Sequence, residues 1–364
     1  MLLRASLALV SSAVCAVAPF AMSSGSAERA AAQQRTVIGR GPEQGNFPPP
    51  PITAAQADAE RGAALDKYLA QLASEDKFSG VVLLAKEGTV RFDRAYGYAD
   101  RGLKVPNAPT TRFNIGSINK QFTIAAINLL AAAGKLSRED SVSKLLPDYP
   151  NERGRNATVQ QLLDHRGGIS DFFGPDFDAR PKAQFRSNAD YFHFVAPRPL
   201  YFEPGAERRY CNGCYIVLGE IIERVSGVPY ERFVSERIFH PRGMNRTGWF
   251  ASDEIVENVA MGYTRRLPGA DGPLRSNVFT RGAAGCAAGG GFSTASDLLA
   301  FFKDGPAGSG GGMNMGIAGG APGTAALVEA DAGWIVVVLS NMDPPAASVG
   351  SVILRQLRQE FGAE

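Results

Sequence analysis

Ser117 and Lys120 stand three residues apart in Phe113-Asn-Ile-Gly-Ser-Ile-Asn-Lys120. A serine hydroxyl is a weak nucleophile until a neighbour takes its proton, and a lysine can do so only as a neutral amine, which calls for burial. The run Phe122, Ile124, Ala125, Ile127, Leu129 and Leu130 has helical spacing and predicts a helix closed by Gly134. Ser117 then sits at its first turn with Lys120 on the same face. A helix N-terminus also offers partial positive charge and free N–H groups where an oxyanion would form. The spacing alone is weak, because a serine that merely caps a helix beside a solvent-facing lysine has the same pattern. Ser141-Val-Ser-Lys144 repeats it in a polar stretch that soon meets Pro147, with no apolar helix to bury the lysine.

An acyl-transfer site of this kind wants a second proton carrier. Tyr210-Cys-Asn212 offers a phenol and an amide at i and i+2, which extended backbone turns toward one cleft. Tyr149-Pro-Asn151 has the same letters but is stiffened by proline.

The elements that must position these groups follow from periodicity. Helical patterns run from Thr53, a candidate N-cap, to about Leu72, and over Thr158–Leu163, Cys214–Val225, Tyr230–Phe239, a segment ending at Phe302, and about 346–361. Strand-like runs are Gly80–Lys86 and Val90–Tyr98, joined by Glu87-Gly88-Thr89, and Thr324–Ala330 and Trp334–Leu339 near the end. Strands at both ends with helices between them imply one sheet built from distant parts of the chain. The Gly-rich run Arg281–Phe292 lacks a phosphate-loop context and reads as close backbone packing, and residues 303–320 read as loop.

With 364 residues, 38 basic and 36 acidic, the chain has length for one large domain or two and no charge run to suggest a nucleic-acid partner. Arg4, an apolar run from Ala5 to Met22 broken at Pro19, and small residues through Ala27 resemble a secretory signal peptide over 1–27. Export to the periplasm or medium, with no remaining membrane span, is the expectation. Residues 28–52 are Ala/Gln-rich and then Pro-rich and read as an exposed leader. After cleavage, Cys211, Cys214 and Cys286 remain; packed thiols or one disulfide are favoured over redox or metal work, and the pairing stays open. No His-Glu-x-x-His or similar ligand cluster occurs, so no metal or cofactor is implied. His165, His193 and His240 read as structural, His165 in a loop.

From about residue 60 to 362 the chain resembles the class C β-lactamase-related, penicillin-binding-protein-like serine hydrolases. The blocks are Phe113–Thr123, Thr158–Ile169, Phe202–Ala206, Tyr210–Asn212, Leu218–Glu223, Phe239–Met244, Gly289–Asp297 and Val336–Asn341, in that order. The resemblance implies an α/β fold of the β-lactamase/transpeptidase kind over 53–364. An antiparallel sheet would be flanked by helices, with a mostly helical insert at about 134–275. It implies Ser117 as the acylated nucleophile, Lys120 as its base, Tyr210 as proton relay, Asn212 as a holder of Lys120 and of substrate, and an oxyanion hole from the Ser117 and Gly320 N–H groups. The small substrate would be an ester, amide or peptide. One family feature is missing: Ile317 stands where a lysine or histidine precedes the small residue and glycine, so the usual partner for a substrate carboxylate is absent. The alternatives implied are a silent relative that only binds, and a true β-lactamase or D-Ala-D-Ala carboxypeptidase.

Overall fold

The computed structural model describes residues 47–267, 270–304, 315–343 and 348–361. The expected signal peptide, most of the leader and most of the 303–315 segment lie outside the described residues.

Helix α1 spans Asp58–Ser74, later than the expected start at Thr53. Its first turn is served by Glu60, whose carboxylate accepts the Ala57 N–H at 3.1 Å, whereas the Thr53 N–H is taken by Gln56 in a separate turn. Leu65, Tyr68, Leu69 and Leu72 form its buried stripe. The end of the leader is not exposed as expected: Ile52 is buried in the same cluster, and the Tyr68 hydroxyl donates to Pro48 O at 2.9 Å. An apolar residue after the proline run is enough to pin that run to the helix.

Strands β1 (Gly80–Lys86) and β2 (Thr89–Tyr96) form the expected hairpin, and a short pair follows, β3 (Tyr98–Asp100) with β4 (Val105–Pro106). β5 (Phe113–Asn114) leads into the nucleophile segment and helix α2 (Lys120–Ala132). Between residues 134 and 275, where the helical insert is expected, come short helical turns, α3 (Asn188–Val195) and α4 (Asn212–Ser226). α4 is closed by Gly227 in the left-handed region. The expected helix Tyr230–Phe239 changes pitch midway, α-helical through Val234 and π-helical over Ser235–Phe239. The insert then ends in a hairpin, β6 (Tyr263–Leu267) and β7 (Ala270–Ser276), that periodicity missed. β8 (Phe292–Ser293) pairs with β5 and runs into α5 (Ala295–Phe302).

The last strands are β9 (Met315–Ala321), β10 (Thr324–Asp331) and β11 (Trp334–Ser340), and α6 (Ser348–Phe361) follows. They join the first hairpin in one antiparallel sheet of order β2-β1-β11-β10-β9, with Leu83 opposite Val337 and Val328 opposite Ile317. Strand alternation splits β1 cleanly: Val82 and Leu84 pack toward α1 and α6, and Val81, Leu83 and Ala85 toward α2, α4 and α5. The result is a helix–sheet–helix arrangement with two apolar clusters, one on each sheet face.

β9 corrects the expectation of loop through residue 320. Gly316-Ile-Ala-Gly-Gly320 has low strand propensity, yet it pairs with β10 along its length. Its glycines answer a steric demand: a Cβ on Gly319 would lie 2.0 Å from Ile115 O, so only bare backbone fits beside the nucleophile turn. Among the described residues no helix is long and apolar enough to cross a membrane.

Candidate active site

The site begins with Asn114, whose Oδ1 accepts the Gly116 N–H at 2.9 Å and bends the chain out of β5. Gly116 has φ +51° and its Cβ position lies 2.8 Å from Gly320 N, so glycine is required on both counts. Ser117 sits in a 3₁₀ turn, Gly116–Asn119, rather than in the first α-turn as expected. That turn stacks residues i and i+3, bringing Lys120 over Ser117 with Nζ 3.2 Å from Oγ.

Lys120 is almost fully buried. Its Nζ donates to Asn212 Oδ1 at 2.8 Å and to the Ala288 carbonyl, and it lies over the ring of Tyr210 (4.8 Å) and near that of Tyr215 (5.4 Å). The two acceptors use two N–H bonds and leave the third position on nitrogen facing Ser117 Oγ. Ala288 comes from the glycine-rich run, which packs as expected: a Cβ on Gly291 would sit 2.6 Å from Asn119 Oδ1.

Tyr210 stands at the mouth, 39% exposed, with its hydroxyl donating to Ser117 Oγ at 2.5 Å. Cys211 between Tyr210 and Asn212 is extended (φ −134°, ψ 92°), which turns both flanking side chains into the cleft. Cys211 is bonded to Cys214 in the first turn of α4, so the disulfide fixes the backbone that carries Tyr210 and Asn212. Among the described residues Cys286 is the thiol left over; it is buried, and burial pushes its pKa up to about 12.

His165 lies nearer the chemistry than a remote loop residue would. Its ring stacks on Tyr210 (4.9 Å between centroids) and its Nδ1 accepts the Cys211 N–H at 3.2 Å. Burial first, then the charges of Lys120 and Arg208, push its pKa down to about 4, so the ring is a neutral prop for Tyr210.

Sequence reading missed Asp171. It is 2% exposed; Oδ2 accepts the Asn212 Nδ2–H at 2.9 Å and Oδ1 accepts the Phe173 N–H at 3.1 Å. Burial raises its pKa, opposed by those hydrogen bonds and by Lys120. A carboxylate can only accept from Nδ2, so it dictates which end of the Asn212 amide meets Lys120. The available signal was an acid set against Phe172 and Phe173, an unusual neighbourhood for an exposed loop.

Gly320 lies on β9 beside the Gly116–Ser117 turn: the Cβ position of Gly116 is 2.8 Å from Gly320 N, and that of Gly319 is 2.8 Å from Ser117 N. Ile317 shares the Gly319 face of the strand and packs on the core, so no side-chain cation stands there. Among the described residues no group of His, Cys, Asp and Glu could hold a metal ion. The second Ser-x-x-Lys is elsewhere: Ser141 caps a one-turn helix and the exposed Lys144 pairs with Asp140 at 2.6 Å.

The fold agrees with comparison to known proteins. The Beta-lactamase family profile matches residues 65–316, and the chain belongs to that family of serine hydrolases. Penicillin-binding protein 4* of Bacillus subtilis (strain 168) is 34% identical over 197 residues, 53% of this chain and 43% of the relative. The chain thus spans under half the length of that curated relative. The crystal structure of a penicillin-binding protein from Bacillus halodurans superposes with TM-score 0.69 at 28% identity, covering 78% of this chain and 98% of the other. An octameric penicillin-binding protein homologue from Pyrococcus abyssi gives 0.68 at 26%, covering 82% and 77%.

Proposed function

We propose that this chain is an exported serine hydrolase that cleaves a small ester or amide through an acyl-Ser117 intermediate. The observation that carries this reading is the double engagement of Ser117 Oγ, by Lys120 Nζ at 3.2 Å and Tyr210 Oη at 2.5 Å. A serine that only caps a helix has no use for a buried amine and a phenol on the same oxygen.

In this reading Lys120 accepts the Ser117 proton as Oγ attacks the carbonyl carbon. The oxyanion is received by the Ser117 and Gly320 N–H groups. Tyr210, relaying the proton through Lys120, protonates the leaving alcohol or amine as the carbon–heteroatom bond breaks. A water then loses its proton to the same pair, attacks the acyl carbon and releases the acid, restoring Ser117. Asn212, oriented by Asp171, keeps Lys120 in line and offers an amide to substrate.

The relatives' names speak for penicillin binding as a second reading, and the apolar Ile317 speaks against it, since the site lacks a cation at that point of β9 for the carboxylate of a penicillin or a peptide terminus. Activity of the wild type and Ser117→Ala on p-nitrophenyl esters, D-amino acid amides and nitrocefin separates these readings. Short esters or amides are expected to be turned over faster than nitrocefin and only by the wild type; faster nitrocefin hydrolysis would establish the β-lactamase reading instead. Absence of turnover on all three together with no covalent labelling of Ser117 would leave a protein that only binds.

A further inference from the structure

A cavity of about 190 Å³ is lined in part by Asn114, just ahead of the nucleophile turn, and is large enough for a small organic group rather than a single water. Its walls include Asn114, Phe250, Val256, Val259, Phe292 and Arg281. Asn114 ties it to the active site, because its Oδ1 holds the Gly116 N–H and its strand partner is Phe292. Two residues separate Asn114 from Ser117, so their Cα atoms are at most about 11 Å apart.

Arg281 is anomalous there. It is partly buried, its guanidinium lies over the Phe292 ring at 5.4 Å, and among the described residues it makes no ion pair and no hydrogen bond. Other arginines of the described chain, such as Arg186 and Arg224, hold carboxylates in two-bond contact. Burial lowers the pKa of Arg281 and no carboxylate offsets that cost. The nearby Tyr191 hydroxyl is engaged with Ala284 O at 2.8 Å. Glu254, the other charged wall residue, lies on the exposed rim and accepts the Ala251 N–H at 3.1 Å instead. A guanidinium with five donors and no ion-pair partner, in a cavity whose wall mixes Phe250, Val256 and Val259 with amides such as Asn277 and Asn341, is a half-built carboxylate site.

We propose that this cavity is a carboxylate subsite, in which Arg281 receives the anionic end of a short hydrocarbon chain. The carboxylate belongs either to the hydrolysed substrate or to a free small acid. The first case deepens the proposed hydrolase reading and rests on it; the second does not depend on Ser117.

Two measurements on the full chain test the subsite. In the first, butyrate and benzoate are titrated by calorimetry into wild type, Arg281→Gln and Arg281→Lys, each checked for a native melting transition. Binding to the wild type, weakened tenfold or more by Arg281→Gln and partly kept by Arg281→Lys, is expected. Wild type that binds neither acid, or an Arg281→Gln that binds as well, overturns the proposal even if Ser117 proves fully active. The second measurement is the kcat/KM ratio for mono-p-nitrophenyl glutarate over p-nitrophenyl valerate, which differ by a terminal carboxylate. A ratio that drops about tenfold in Arg281→Gln identifies the substrate's own carboxylate as occupant. An unchanged ratio with the calorimetric loss identifies a free acid. A chain that binds butyrate through Arg281 but cannot be labelled at Ser117 refutes the hydrolase reading and leaves the subsite standing.

Discussion

The chain carries the Ser-x-x-Lys spacing twice, at Ser117–Lys120 and Ser141–Lys144, and the two could hardly differ more in surroundings. Lys120 is buried under two tyrosine rings, with an amide, a carbonyl and a serine hydroxyl as its neighbours. Lys144 is exposed and paired with a carboxylate. Ser117 has a glycine strand and a glycine-rich run pressed against its turn; Ser141 accepts the Lys144 N–H at 3.3 Å as an ordinary helix cap. What separates the two spacings is therefore the company at long sequence distance: Tyr210 and Asn212 from one segment, Ala288 from another, Gly320 from a third. In the proposed reading, reactivity is a property of the fold.

The largest expected effect breaks the comparison at its first member. Ser117→Ala is expected to lower kcat/KM on a responsive ester by on the order of 10⁴-fold, and Lys120→Ala by roughly 10³-fold. The matching Ser141→Ala should leave turnover intact and cost about 1 kcal/mol of stability for a lost cap, read from a denaturant melt. Comparable losses at the two serines would mean that spacing, not surroundings, decides.

A smaller effect probes what holds the site in order. Asp171→Asn replaces the accept-only group that orients Asn212 with an amide that can accept or donate, and two amides facing each other can then meet in either sense. Loss of a buried charged hydrogen bond is worth about 1.5–3 kcal/mol, so kcat is expected to fall roughly 10- to 100-fold. KM should move little, since Asp171 does not face substrate. A drop in KM-dependent binding alone, with kcat preserved, would contradict the positioning role.

The smallest effect is in pH dependence. His165 is neutral in the fold with a pKa lowered to about 4 against 6.5 when unfolded. Between those values the unfolded chain binds the extra proton, so stability from this ring is complete above pH 6.5 and is lost as pH falls toward 4. His165→Asn, which tolerates the residue's φ of +60°, should flatten that acid limb relative to the wild type when unfolding free energies are compared at pH 7 and pH 4.5. Parallel pH profiles would show that the ring is not a neutral prop.

Much of this was legible in the residues themselves. Ser117, Lys120, Tyr210 and Asn212 could be picked out because their chemistry imposes local spacing, and the sheet could be drawn because short apolar runs mark β1, β10 and β11. Ordered blocks pointed to the family to which the chain belongs. The failures share a cause in tertiary context. Asp171 works across 41 residues on Asn212, and nothing local distinguishes it from a loop acid. β9 reads as loop because glycine is a poor strand former; it becomes a strand because β10 pairs with it and the nucleophile turn admits no side chain. Ile52 reads as leader and is core because α1 and α6 leave room for it.

The central claim is that Ser117 is an activated nucleophile and Ser141 is not. Intact-mass and peptide-mapping analysis after exposure of the folded protein to a fluorophosphonate tests it most directly. The account predicts one adduct per chain, on Ser117, abolished by Lys120→Ala and by prior denaturation. No adduct on folded protein, or labelling of Ser117 that survives unfolding, would contradict it.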